Sequence, residues 1–176
     1  MATSLVLTVI GADRPGVVEA LSRAVAEHGG NWLESRMSRL ASRFAGILLV
    51  SVPEANAGAL RQALLALDSE GLRVTVEESA PDTTVLTYRT VKFELVGQDR
   101  AGIIHEISEA LAEHRVSIDE LVTEVQSASW SGETLCQVHA ELRVPRDVST
   151  AVLREVLEDI ANELMVDITL DDLPAS

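Results

Sequence analysis

Gly11-Ala12-Asp13-Arg14-Pro15-Gly16 and Gly97-Gln98-Asp99-Arg100-Ala101-Gly102 are one turn written twice, 86 positions apart. Working outward from it, Ser22 falls on Ser108, Ala24 on Ala110, Ala26 on Ala112, Glu27-His28 on Glu113-His114 and Glu34 on Glu120. That makes 10 identities between positions 11 and 34, where chance supplies roughly one or two, and an internal repeat of this kind governs the fold. The apolar positions correspond as well: Val17 with Ile103, Val18 with Ile104, Leu21 with Ile107 and Val25 with Leu111. Further on the offset grows to 92, so that Pro53 meets Pro145. The second repeat thus carries six extra residues, near Ser127 to Glu133 and around Trp130-Ser131-Gly132.

Each repeat has one order of elements. A strand through Leu5–Ile10 leads into the turn and then a helix through Val17–Glu27, with apolar residues at 17, 18, 21, 24 and 25 forming one buried face. Pro15 suits the first helical position, where its missing N–H costs nothing. The helix ends at His28-Gly29-Gly30, with a glycine cap. A strand from about Asn31, a hairpin near Ser42-Arg43 and a nearly all-apolar strand Ala45–Val52 follow. Pro53-Glu54 opens a second helix with Leu60, Leu64, Leu65 and Leu67, and Leu72–Val76 closes the unit. In the second repeat Val91–Leu95 and Cys136–Val144 alternate strictly, as antiparallel strands with unlike faces do. Each unit is therefore βαββαβ, the ferredoxin-like arrangement, and the fold class is α+β with two tandem antiparallel sheets. The boundaries are residues 1–80 for the first domain, 81–88 for a linker and 89–176 for the second, with the polar stretch Ala80-Pro81-Asp82-Thr83-Thr84 lying between the repeats.

Helices cover one face of each sheet and leave the other open. In repeat 1 the first and third strands are apolar on both sides: Leu5, Leu7 and Val9 with Val6 and Ile10; Leu48 and Val50 with Ile47 and Leu49. Such strands are buried on both faces, so this sheet is expected to be covered or extended by another domain, in the same chain or in a dimer.

Charge excludes a class of partner. The chain of 176 residues has a net charge of -14, and direct phosphate binding needs a basic face. Residues 1–80 hold 9 acids against 7 bases, and residues 81–176 hold 19 against 7, so most of the acidity lies in the second half. It serves solubility, or a docking face for a basic partner. Cys136 is the only cysteine, so no disulfide forms within one chain and no cysteine-based zinc site is possible. It falls on the apolar side of its strand, as a buried thiol does. The apolar run Leu5–Ile10 is too short to span a membrane and no basic residue precedes it. A cytoplasmic location is expected. No Ser/His/Asp or Cys/His constellation stands out, so neither an enzyme nor a cofactor is expected. His28 and His114 fall at matching helix ends, as stabilising residues do. Arg36, Arg39 and Arg43 form a short basic stretch around the hairpin, either a solvated face or a docking site. RNA-binding modules of this topology stack bases on aromatics of the central strands, and Ala45–Val52 and Cys136–Val144 have none.

The turn is the candidate binding site. A helix N-terminus offers backbone N–H groups and about half a positive charge, and glycine lets a ligand approach the backbone. A carboxylate can dock at Gly16-Val17 and at Gly102-Ile103. Asp13 or Asp99 could accept from an ammonium group; the alternative is that both merely cap their helices.

The run Gly-x-Asp-Arg-x-Gly after a first strand, then an apolar helix, then Gly30-Asn31 opening the next strand, resembles the ACT domain. Two such domains over residues 4–79 and 89–170, with Asn31-Trp32-Leu33-Glu34-Ser35-Arg36, resemble the glycine cleavage system transcriptional repressor family. The resemblance implies amino-acid ligands, glycine among them, bound between paired domains, with Asp13, Arg14, Gly16, Val17 and Asn31 lining the site. It implies action through a protein partner, a transcription factor, without direct nucleic-acid contact, and a homodimer. A feedback-regulatory subunit of an amino-acid metabolic enzyme is the alternative. The second repeat departs from the pattern: Ala101 replaces the proline and Ser117 stands at the place of Asn31, so repeat 1 is the favoured ligand site.

Overall fold

In the computed structural model, described for residues 1–79, 88–127 and 134–172, the chain forms two compact units, Met1–Thr83 and Thr84–Ser176. The first runs β1 (Ala2–Ala12), α1 (Val17–Glu27), β2 (Asn31–Leu40), β3 (Arg43–Pro53), α2 (Glu54–Ala66), a 3-10 turn (Leu67–Glu70) and β4 (Leu72–Glu78). The second runs β5 (Tyr88–Gln98), α3 (Ile103–Glu113), β6 (Ser117–Ser127), β7 (Thr134–Pro145), α4 (Thr150–Leu164) and β8 (Val166–Asp172). The sheet orders are β2-β3-β1-β4 and β6-β7-β5-β8, and every pairing is antiparallel. This is the expected ferredoxin-like pair. The expected insertion around Trp130-Ser131-Gly132 and the Ala80–Thr84 stretch lie outside the described residues.

Period-2 patterning sets the registers. Leu5, Leu7 and Val9 of β1 stand with Leu48, Val50 and Val52 of β3 and with Val74 and Val76 of β4, all buried. Val17, Ala20, Leu21, Ala24 and Val25 of α1 and Leu60 and Leu64 of α2 close this core. The second core repeats it, with Phe93 and Leu95 of β5 under Ile107 and Leu111 of α3 and Leu153 and Leu157 of α4. Val18 departs from the expected helix face. It is 47% exposed, because the stripe needed to cover two strands is filled by positions 17, 20, 21, 24 and 25.

The connections follow local chemistry. Ala41 and Ser42 both have positive φ, 46° and 63°, as a two-residue hairpin that continues the right-handed strand twist requires. After α1 the chain passes through His28 into Gly29 at φ 68°, and the equivalent Arg115 takes 59°. His28 Nδ1 lies 2.8 Å from the Ala24 carbonyl and His114 Nδ1 lies 3.0 Å from that of Ala110. A carbonyl only accepts, so each ring donates from Nδ1 and satisfies a helix-end acceptor. Ser149 caps α4 by accepting from the Val152 amide at 3.2 Å. Cys136 faces the second core and is 3% exposed; burial, and then the Asp99 charge, push its thiol up. Among the described residues no helix is long and apolar enough to cross a membrane.

Gly97 lies in β5 against β8, and a Cβ there would collide with the Val166 side chain. Gly58 lies in α2 with nothing within 4 Å. Chemical denaturation should therefore separate the two by sign: Gly97→Ala loses about 1–3 kcal/mol by overpacking, whereas Gly58→Ala gains about 0.5–1 kcal/mol from helix propensity. A second prediction comes from the turn after α3. Arg115 donates a hydrogen bond to Asp147 at 2.5 Å, which holds that carboxyl below its ordinary range. A depressed carboxylate pKa favours folding above the ordinary value, and that contribution fades as pH falls through the depressed one. In Arg115→Gly, which also suits the left-handed backbone, the Asp147 midpoint followed by NMR should rise back toward the ordinary value.

Candidate functional site

The two turns present their helices differently from expectation. Gly16 and Gly102 are the N-caps of α1 and α3, at φ 91° and 92°, and no side chain caps either helix. Asp13 and Asp99 are therefore not caps. Pro15 precedes the cap and is not the first helical residue, because the left-handed Gly16 separates it from Val17. L-residues avoid that conformation by about 1–2 kcal/mol, which is what glycine supplies at both positions. Val17 and Ile103 are buried at 4% and 3% exposure. Their side chains belong to the cores and only their backbone N–H groups remain for a ligand, that of Ile103 already donating to the Arg100 carbonyl at 3.5 Å.

The surroundings of the glycines separate the repeats. In repeat 2, Arg100 Nη2 donates to both carboxylate oxygens of Glu106 at 2.6 Å. Glu106 Oε1 lies 3.7 Å from the position of a Cβ on Gly102. A carboxylate thus already stands in the first turn of α3, where the helix favours an anion. In repeat 1 Ala20 occupies the matching place, and a Cβ on Gly16 would meet nothing within 4 Å. Arg14 turns away and donates to the Glu70 carbonyl at 3.0 Å, with the Glu70 carboxylate at 3.7 Å. Asp13 is held from two directions: its N–H donates to the Ser42 carbonyl at 3.1 Å, and its carboxylate pairs with Arg39 at 3.7 Å. Asp99 has the matching backbone bond to Thr134, at 2.8 Å.

Asn31 is not part of this cluster within its own unit. It opens β2 opposite Ser51, and Ser51 stands opposite Ser4 near the start of β1. The glycine turn follows Ala12, at the other end of that strand. Eight residues of strand separate the two ends by roughly 25 Å. The turn therefore holds Asp13, Gly16 and the Val17 N–H, with Arg14 turned to Glu70, leaves Asn31 at the far end, and arranges Ser117 likewise relative to Asp99, Gly102 and Ile103. Arg39 and Glu106 are additions that no motif announced. Arg39 belonged to the basic stretch, but its pairing with Asp13 depends on the hairpin folding back. The Arg100–Glu106 clamp spans six positions across a turn, a spacing with no periodic signature. Among the described residues no group of three or more His, Cys, Asp or Glu could hold a metal ion. His105 and His139 lie against Glu109 at 4.0 Å and Glu94 at 3.5 Å.

Residues 3–77 match the family model for the ACT domain. The chain is 27% identical over 164 residues to the glycine cleavage system transcriptional repressor of Escherichia coli, covering 91% of this chain and 85% of that protein. It is 41% identical over 78 residues to a UPF0237 protein of Methanopyrus kandleri, covering 43% of this chain and 87% of that protein. A solved structure of a protein from Galdieria sulphuraria superposes with a TM-score of 0.85 at 28% identity, covering 99% of this chain and all of the other. With two βαββαβ units, a repeated glycine turn and these matches, the chain belongs to the ACT-domain family, as a tandem ACT protein resembling the glycine cleavage system transcriptional repressors.

Proposed function

We propose that this chain is a cytoplasmic amino-acid-sensing regulator of the glycine cleavage repressor type, acting by protein contact as a homodimer and without catalytic chemistry of its own. The observation that carries the reading is the uncapped α1 N-terminus at Gly16, three positions after Asp13, with nothing within 4 Å of a Cβ placed on that glycine. It offers N–H groups to a ligand carboxylate and an acceptor to a ligand ammonium group, which together describe an α-amino acid. Glycine fits because the turn itself provides no side-chain pocket. The 27% identity to a named transcriptional repressor over nearly the whole chain supports the regulatory part. The net charge of -14 supports contact with a protein in preference to nucleic acid.

Asn31 joins this site only through a second domain. A second copy whose strands run antiparallel to those of the first brings its own Asn31 end toward the Arg39–Asp13 end of the first. An amide there could both donate to and accept from the bound amino acid. Repeat 2 lacks two of these features, since Glu106 fills its anion position and Ser117 replaces the amide. It serves pairing or docking more than sensing.

Isothermal titration with the twenty amino acids, glycine first, tests the sensing part; binding to none of them overturns it. Asn31→Ala should weaken binding about tenfold, the loss of one or two hydrogen bonds to charged groups, with little change for Ser117→Ala. The reverse order moves the site to repeat 2. Affinity purification followed by identification of the bound protein decides between a transcription factor, as proposed, and a metabolic enzyme regulated by feedback.

A further inference from the structure

The uncovered face of the first sheet carries a pattern that its ligand turn does not use. Four rows of side chains cross it. Asn31, Ser51 and Ser4 form the first; Glu34, Leu49, Val6 and Glu77 the second; Arg36, Ile47, Thr8 and Thr75 the third; and Ser38, Ala45, Ile10 and Arg73 the fourth. Apolar residues fill the two central strands, with Ile47 52% and Ile10 46% exposed. Val6, Ile47 and Leu49, with Glu34 and Arg36, line a shallow concavity of about 260 Å³. Drug-sized ligand pockets run from about 300 Å³ upward and enclose most of their ligand, so this hollow suits interdigitating side chains better than a small molecule. The corresponding face of the second sheet has a hollow of the same volume, but it carries Lys92, Glu94, Glu120, Glu124, His139, Glu141, Asp167 and Asp171, and its valines Val96 and Val122 stand apart among these charges.

We infer that the uncovered face of the first sheet packs against the same face of a second copy of the chain, about a two-fold axis that crosses the strands between the Glu34 row and the Arg36 row. This rests on the homodimer reading above and names its surface. The axis is chosen by charge. A two-fold along the strands sets Glu34 of each copy over Glu77 of the other. The crossing axis sets Glu34 over Arg36 of the other copy twice, and Leu49 over Ile47 twice at the centre. Packed sheets of this kind lie about 10 Å apart with interlocking side chains. Four strands by four rows amount to roughly 500 Å² per copy, so the pair buries roughly 1,000 Å², the lower bound for a specific interface.

Sedimentation velocity of the full chain over a concentration series tests this. The expected result is a dimer whose dissociation constant rises tenfold or more in Ile47→Glu. Ile47 is half exposed, so circular dichroism of that variant should match the parent. Glu34→Arg, which sets like charges together across the axis, should also weaken the dimer, and Glu34→Arg with Arg36→Glu should restore it to within a few-fold. A monomeric parent, an Ile47→Glu dimer of unchanged strength, or a double variant no better than Glu34→Arg overturns the inference, the last by assigning the face to a different occupant or axis. An Ile47→Glu variant that unfolds also overturns it, because the face is then covered within the chain. Glycine titrated into the parent chain separates this inference from the sensing reading: binding by a parent whose dimer Ile47→Glu leaves unchanged removes only the face, and no binding by a parent whose dimer Ile47→Glu weakens removes only the sensor.

Discussion

The placement of β1 between β3 and β4 is the constraint on which the first domain depends. Leu5, Leu7 and Val9 must lie under α1 and α2, and side chains alternate strictly along a strand. A slip of one residue would turn Val6, Thr8 and Ile10 inward and expose the leucines. This register fixes where β1 ends, and so where Gly16 must reverse the chain to lay α1 back over the sheet. It also fixes which residues are left on the far side. The glycine turn and the apolar outer face are two consequences of one strand's alternation.

The two domains share this constraint and differ in what it leaves exposed. β5 buries Val91, Phe93 and Leu95 as β1 buries its own alternate residues, but its outer positions are Lys92, Glu94 and Val96 where β1 has Val6, Thr8 and Ile10. At the turn, Glu106 takes the place of Ala20 and supplies a carboxylate where the first domain leaves a space. A duplication that keeps the core positions is free to change the outer ones, because core substitutions cost several kcal/mol and exposed ones little. The tandem chain thus has one domain with an open turn and a sticky sheet, and one domain that is acidic and self-satisfied.

Much of this was legible in the residues. The 86-residue offset announced two domains, and the 3.6 and 2.0 periodicities placed α1 to the residue and β1, β3, β5 and β7 within a few. The apolar doubling of Val6, Ile10, Ile47 and Leu49 marked a face that the helices do not cover. Val18 was misjudged because periodicity gives a stripe without its width. Pro15 was misjudged because a proline before a glycine reads equally well as helix start or as turn, and only the sheet-to-helix reversal forces Gly16 into the left-handed region.

By itself the sequence determined which elements form, in what order, and that the turn chemistry occurs twice, because these depend on local propensity and on repeats of neighbouring residues. The tertiary structure alone decided which residues meet. Asn31 and Gly16, separated by 15 positions in the chain, end on opposite ends of one sheet, since α1 and the turn after it carry the chain back toward the start of β1. Arg39 reaches Asp13 because the β2–β3 hairpin returns to the turn. Glu106 meets Arg100 because the turn folds that arginine over the first turn of α3. Pairings of that kind are set by the geometry of a closed chain packed on itself, which no local pattern encodes.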